Sequence, residues 1–234
     1  MDSIPVTGLI MAGGQSRRMG RDKAWIDFQG KALVEHVLDH VRPLCSEVYI
    51  VANDAAAFES LGVPVVPDIF PGKGPLGGVY SGMLVAREQH CLAVACDMPF
   101  LNPALVRFLI SLAPDYDVVI PRAKDPSGRT PHPPSKDRMA AAPDARFRRL
   151  PIAKQSDLHP MHAIYSKSCI PSIQSHLKEG DLRLIAFFQE LRVRIVEQAE
   201  VDRYDPTHLS FFNVNSPDDL VKAQALAGNA SSNV

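Results

Sequence analysis

A mainly parallel α/β sheet with helices on both faces is the fold this sequence predicts, and three observations carry the prediction. Short apolar runs alternate with helical patterns from the start of the chain. The runs are mostly continuous, as in strands covered on both faces, where the in–out alternation of a half-exposed sheet is lost. Hydrophobic residues make up 46% of 234 residues, enough for a sizeable core.

The elements follow in order. Val6 to Met11 reads as a first buried strand. Leu33, Val34, Val37, Leu38, Val41 and Leu44 recur at helical spacing and stop at the Cys45-Ser46 turn. Val48 to Ala52 and Val63 to Val66 are the next strands. A helix over Val79 to Arg87, a strand over Leu92 to Ala95 and a helix over Pro103 to Leu112 come next, each helix opened by a proline-containing turn. Val118 to Ile120 is again a strand.

The pattern lapses between Arg122 and His159, a stretch with six prolines and nine basic residues against four aspartates, a local charge of +5 with neutral histidines. So long an unpatterned segment is expected to be a lid, a loop that steers an anionic substrate, or a solvated insertion. Regularity returns with a strand at Ala163 to Ser166, helices at Ile170 to Lys178 and Leu182 to Leu191, a strand at Val193 to Val196 and a last helix from Pro217 to Ala227. One domain over residues 1–228 is expected, with the insertion at about 122–159 and a flexible tail over 229–234.

The net charge of -1 gives no global attraction to nucleic acid or to an anionic membrane, so a polyanion must be held by local charge. Cys45, Cys91, Cys96 and Cys169 lack C-x-x-C spacing and read as buried free thiols. The first residues lack the basic and long apolar regions of a signal peptide, and no later run has the length of a membrane span. A cytoplasmic protein is expected.

The strongest local signal is Gly8 to Lys23. An apolar strand stops at Gly13-Gly14, which free the backbone to turn and bare N–H groups to a ligand. Arg17, Arg18 and Lys23 then supply positive charge. A P-loop does not fit, because five residues separate Gly14 from Gly20 and Ala24 follows Lys23; G-x-G-x-x-G is absent too. Glycines alone would be an ordinary turn, but the cations make a polyphosphate site the better reading.

Other residues sit at what should be the same sheet edge, the carboxyl ends of the strands, where open α/β sheets bind ligands. Asp97 follows Leu92 to Ala95; Asn53 follows Val48 to Ala52, and Asp68 follows Val63 to Val66. Each equally suits a turn. Gly74, Gly77 and Gly78 precede the expected helix and allow a base or ribose close, or simply admit the chain to the helix. Asn213 and Asn215 alternate along a short aromatic strand and would share a face, although Asn215 or Ser216 could instead cap the helix at Pro217. His36 and His40 lack a third metal ligand and read as packing residues; His159 and His162 enter a strand.

Met11-Ala12-Gly13-Gly14-Gln15-Ser16-Arg17-Arg18-Met19-Gly20-Arg21-Asp22-Lys23 resembles the L-A-G-G-x-S-x-R-M-G-x-D-K motif of the molybdenum cofactor guanylyltransferases of the MobA type, within the nucleotidyltransferase superfamily. Only Met11 departs from it. Gly74-Pro75-Leu76-Gly77-Gly78, Cys96-Asp97-Met98-Pro99-Phe100-Leu101 and Phe211-Phe212-Asn213-Val214-Asn215-Ser216-Pro217 agree in order along the chain. The resemblance implies a Rossmann-like three-layer αβα nucleotidyltransferase fold. It also implies transfer of GMP from GTP to the terminal phosphate of molybdenum-bearing molybdopterin, with release of pyrophosphate.

By the same resemblance, Met11, Ala12, Gly13, Gly14, Asn53, Asp68 and Gly78 bind nucleotide, and Arg17 and Lys23 neutralise phosphate. Asp97 would hold Mg²⁺, and Asn213 and Asn215 would lie near the pterin. His159 and His162 match the family's H-P element, with a substrate-side role. GTP and the molybdopterin are the implied substrates, and molybdoenzymes or other cofactor-biosynthesis proteins the implied partners. Alternatives are a CTP-dependent or sugar-phosphate relative and a non-catalytic GTP-binding protein. Ala12-Gly13-Gly14 favours guanine, since cytidylyl relatives carry Ala-Ala-Gly there, and intact Lys23 and Asp97 favour turnover.

Overall fold

The continuous apolar runs become interior strands. The computed structural model describes residues 4–13, 22–124, 126 and 157–231. Its strands are β1 (Val6–Met11), β2 (Asp27–Phe28), β3 (Lys31–Ala32), β4 (Glu47–Val51), β5 (Val65–Val66), β6 (His90–Ala95), β7 (Val118–Pro121), β8 (His162–Ser166) and β9 (Val193–Val196). Seven of them form one sheet in the order β5-β4-β1-β6-β8-β7-β9. Parallel pairing joins β5, β4, β1 and β6, and also β7 and β9; β8 alone runs antiparallel to both of its neighbours. The expected mainly parallel sheet is therefore present, with one reversed strand.

The helices are α1 (Leu33–Val41), α2 (Pro75–Val85), α3 (Pro103–Leu112), α4 (Ile170–Glu179), α5 (Gln198–Val201) and α6 (Pro217–Ser231). Successive strand residues face opposite ways and divide the core in two. Ile10, Leu92 and Val94 pack with Val34, Val37, Leu38 and Val41 of α1 and with Leu105, Val106 and Leu109 of α3. Leu9, Cys91 and Ala93 face the other way, onto Leu76, Val79 and Met83 of α2 and Ile173 and Leu177 of α4. These two layers complete the three-layer arrangement.

Four elements differ from expectation. Helix α2 begins at Pro75, not Val79, because proline at the first helical position needs no hydrogen-bonded N–H; Gly77 and Gly78 thus lie inside the helix. Strand β5 shrinks to Val65–Val66 since Pro64 lacks the N–H that would extend it. The helix expected over Leu182 to Leu191 is a 3₁₀ segment, Ala186–Glu190: Asp181 ties Arg183 into a turn, and the adjacent Phe187 and Phe188 both pack against Tyr165. Asn213 and Asn215 lie on no strand.

Smaller features went unforeseen. The β2–β3 hairpin turns at Gln29 and Gly30, both at positive φ, and α5 is a single turn. Helix α6 continues past Ala227 through Gly228 to Ser231. Most of the segment from 122 to 159 lies outside the described residues, but its ends are joined: Arg122 bridges Leu158, and Ala123 N–H donates to Asp157 O. All four cysteines are free, with Cys91, Cys96 and Cys169 buried and Cys45 half-buried. Among the described residues no helix is long and apolar enough to cross a membrane.

Candidate active site

Because β5, β4, β1 and β6 are parallel, the loops that leave them emerge on one edge of the sheet. Asp68, Asn53, Gly13 and Asp97 stand in those four loops. The edge is stitched by backbone hydrogen bonds: Ala12 N–H donates to Val51 O and Cys96 N–H to Met11 O, at 3.0 and 3.1 Å. The first glycine of the loop is thereby held beside the turn that carries Asp97.

Lys23 reaches this turn from the opposite end of the glycine-rich loop. Asp22 accepts Ala24 N–H and starts the 3₁₀ turn Lys23–Trp25, and Ala24 is buried in the α1-side core. That anchoring directs the Lys23 ammonium inward, where its side chain is only 21% exposed, against 14% for Asp97. Nζ lies 3.9 Å from Asp97 Oδ2 and donates to Asn215 Oδ1 at 2.5 Å. One cation, one carboxylate and one amide therefore converge from three remote parts of the chain.

Asn215 is placed by what surrounds it. Val214 N–H donates to Asp97 O at 2.9 Å, and Asn215 N–H donates to Asp219 Oδ2 at 3.0 Å. Ser216 Oγ also donates to Asp219, whose own N–H returns to Ser216 Oγ, which caps α6. The cap is thus Ser216, while Asn215 is released for Lys23. Asn213 does something else: its amide donates back to Phe211 O. The expected common face of the two asparagines is not found, because no ladder holds this segment extended.

A second group forms beyond β4 and β5. Asn53 Oδ1 accepts Asp68 N–H at 3.0 Å, so these two residues are brought together. Asp68 Oδ1 accepts Phe70 N–H; Ser81, buried in α2, accepts Ile69 N–H and shares its one hydroxyl hydrogen between Gly77 O at 2.8 Å and Asp68 Oδ1 at 3.3 Å. Sequence reasoning missed Ser81 as the support of this loop, although a serine inside an apolar glycine-rich helix was its signal.

The glycines divide. A Cβ on Gly78 would stand 2.3 Å from Met11 Cε, the end of a flexible side chain that would have to shift, and 3.5 Å from Val51 Cγ1, where α2 lies against the sheet. A Cβ on Gly13 would meet nothing nearer than Val51 O at 3.6 Å, and Gly13 has no positive φ. The expected special turn is therefore absent at Gly13, and nothing in the folded chain requires glycine there. Gly13 is also exposed. Gly14, Arg17 and Arg18 lie outside the described residues.

Titration limits the chemistry. Burial, with the nearby Asp97 and Asp22 carboxylates, pushes the Cys96 thiol well above its ordinary value, so it is no nucleophile. His36 and His40 bond the Phe28 and His36 carbonyls, as packing residues do. Among the described residues no three His, Cys, Asp or Glu side chains cluster to hold a metal. A lone carboxylate at a ligand edge suits magnesium, a hard ion that takes one or two carboxylates and completes its shell with phosphate and water oxygens. Asp97 fits that donor set.

Comparison with known proteins agrees with this geometry. The family model for a MobA-like NTP transferase domain matches residues 8–195. A probable molybdenum cofactor guanylyltransferase of Pelotomaculum thermopropionicum is 33% identical over 97% of this chain and 96% of its own. A similarly described protein of Chloroflexus aggregans is 34% identical over 95% of both. In fold, the chain is similar to the crystal structure of molybdopterin-guanine dinucleotide biosynthesis protein A from Archaeoglobus fulgidus, with a TM-score of 0.72, 22% identity and coverage of 96% of this chain and 100% of that one. From its glycine-rich first loop to β9, this chain belongs to the MobA-like NTP transferase family.

Proposed function

We propose that the protein transfers GMP from GTP to the terminal phosphate of molybdenum-bearing molybdopterin. The convergence of Lys23, Asp97 and Asn215 at the carboxyl edge of the sheet carries this reading. An acceptor phosphate oxygen attacks the α-phosphorus of GTP, a P–O bond forms, the bond to the β-phosphate breaks, and pyrophosphate leaves. The attacking oxygen is already ionised at neutral pH, so no general base is needed. Positioning and charge neutralisation suffice.

In this reading Met11, Ala12, Gly13 and Gly14 offer backbone groups to the nucleotide, and Lys23 and Arg17 offset phosphate charge. Asn53 and Asp68 border the nucleotide end, and Asn213 and Asn215 the acceptor end. Asp97 would hold Mg²⁺, which when bound adds charge stabilisation for the triphosphate. Asn215 orients Lys23 without removing its charge, which keeps the ammonium available to phosphate. The four free cysteines support a reducing compartment, and the cytoplasm is our placement.

The test is pyrophosphate release with each nucleoside triphosphate, with and without the molybdopterin. Release with GTP only when the pterin is present supports the proposal. Better use of CTP would place the protein among cytidylyl transferases, and GTP binding without release in either condition would make it a binding protein.

A further inference from the structure

The segment that carries Asn215 is held from behind by a residue outside the site. His162 opens β8 opposite Val94 of β6, is fully buried, and has Nδ1 3.4 Å from Ser210 O. A carbonyl can only accept, so Nδ1 carries the proton and Nε2 the lone pair. Among the described residues Nε2 has no hydrogen-bond partner. A fully apolar ring would fill this space without burying an unsatisfied nitrogen, so packing alone does not call for histidine.

What the imidazole adds is its donor. Phe211 is stacked on His159, with ring centroids 4.0 Å apart, and tilted against His162 at 5.2 Å. Ser210 N–H donates to Asp205 Oδ2 and Ser210 Oγ accepts Asn102 N–H. Three and four residues past Phe211, Val214 grips Asp97 and Asn215 receives Lys23. Residues 210–215 thus form a short strap, fastened at one end by His162 and Asp205 and at the other by Asp97, Lys23 and Asp219.

We propose that His162 is a positioning residue: its bond to Ser210 O and its ring beside Phe211 set the reach of the strap, and so the seat of the Asn215 amide on Lys23. The role of that seat in turnover rests on the reading of Lys23 as a phosphate-binding cation. The placement of the amide does not.

The experiment compares His162→Asn, His162→Gln and His162→Phe in the full chain. Asparagine presents an amide N–H where Nδ1–H stands, glutamine presents it farther out, and phenylalanine keeps a ring without a donor. The ¹H–¹⁵N signals of the Asn215 side-chain amide are expected to stay near wild type in the asparagine variant and to move in the other two. The kcat for GTP-dependent pyrophosphate release should fall about tenfold in the phenylalanine and glutamine variants, with KM for GTP within about twofold of wild type. In an Asn215→Ala background the same changes should have no further effect, whereas their effect should persist in full in Asn53→Ala.

A residue with only a structural role would lower the melting temperature but leave the Asn215 signals in place and multiply with Asn215→Ala; that result overturns the proposal. Should the phenylalanine variant fail to fold, the asparagine and glutamine pair decides, and equal behaviour of the two overturns it. If the wild-type chain releases no pyrophosphate from GTP, the functional reading fails, while the amide signals still decide the placement.

Discussion

Lys23 Nζ donates to Asn215 Oδ1 at 2.5 Å across 192 residues of sequence. An amide oxygen orients an ammonium without cancelling its charge, whereas the Asp97 carboxylate, at 3.9 Å, pairs with it at the outer limit of an ion pair. Neither relationship strengthens the hydrophobic core. In the proposed reading both hold the ammonium where it can meet a phosphate of the nucleotide.

Lys23→Ala is therefore expected to weaken GTP binding and slow transfer, each by about tenfold or more, while the melting temperature moves by no more than about 2 °C. Isothermal titration with GTP, steady-state release of pyrophosphate and a thermal melt measure the three quantities. Unchanged affinity and rate would make Lys23 an ordinary surface lysine.

Asp97→Asn keeps the shape of the side chain and removes its charge. Turnover should fall on the order of 10²-fold, because charge stabilisation is lost where it acts most on the transition state. The fold should remain, since the contact that joins Asp97 to the strap is its backbone carbonyl, which accepts Val214 N–H. Wild-type turnover at saturating magnesium would show that the carboxylate is a turn residue only.

Gly13→Ala separates ligand from fold. The added Cβ has room in the folded chain, its nearest neighbour being 3.6 Å away, so stability should change by less than about 1 kcal/mol. If the nucleotide lies against this exposed backbone, the methyl group should reduce the preference for GTP over CTP in direct competition. An unaltered preference would remove Gly13 from the base site.

The central strands were legible because burial on both faces writes itself as an apolar run, and Val6 to Met11 matches to the residue; the edge strand Val193 to Val196 matches too, although Arg194 interrupts it and only Val196 is fully buried. The glycine-rich loop and Asp97 were legible as pieces. Their meeting with Asn215 was not, because it depends on Val214 bonding to Asp97 and on Ser216 taking the capping role that Asn215 could have filled. Gly78 is hard to read for a related reason: a glycine that packs against Met11 and one that lets a ligand close look the same in a string of letters. For His162 the sequence offered a strand entrance and, by resemblance, a substrate-side role; its burial against Ser210 O could not be read, since that depends on which carbonyl it faces.

Acid should weaken the fold in two windows, in which His162 and Asp117 carry the largest shifts and His90, drawn down by burial, and Glu47 and Asp181, held down by their partners, add to them. Burial, with His159 nearby, draws His162 down to about 4 from its ordinary 6.5, although Ser210 O and Asp205 oppose the shift. The unfolded chain then binds the extra proton between these values, so stability is full above pH 6.5 and falls as the pH drops toward 4, by on the order of 3 kcal/mol in all. Asp117 acts lower. The Arg192 guanidinium and N–H, with the Ser168 hydroxyl, hold its carboxyl at about 2 against an ordinary 3.8, and the stability this gives is present above about pH 4 and lost on going down to 2. Urea unfolding at a series of pH values should show both slopes. His162→Asn should reduce the first and leave the second, and Asp117→Asn should do the reverse while costing about 1–2 kcal/mol at pH 7, because it loosens the joint between the starts of β7 and β9. A first slope undiminished in His162→Asn would mean that another group, such as the half-buried His90, takes up the proton.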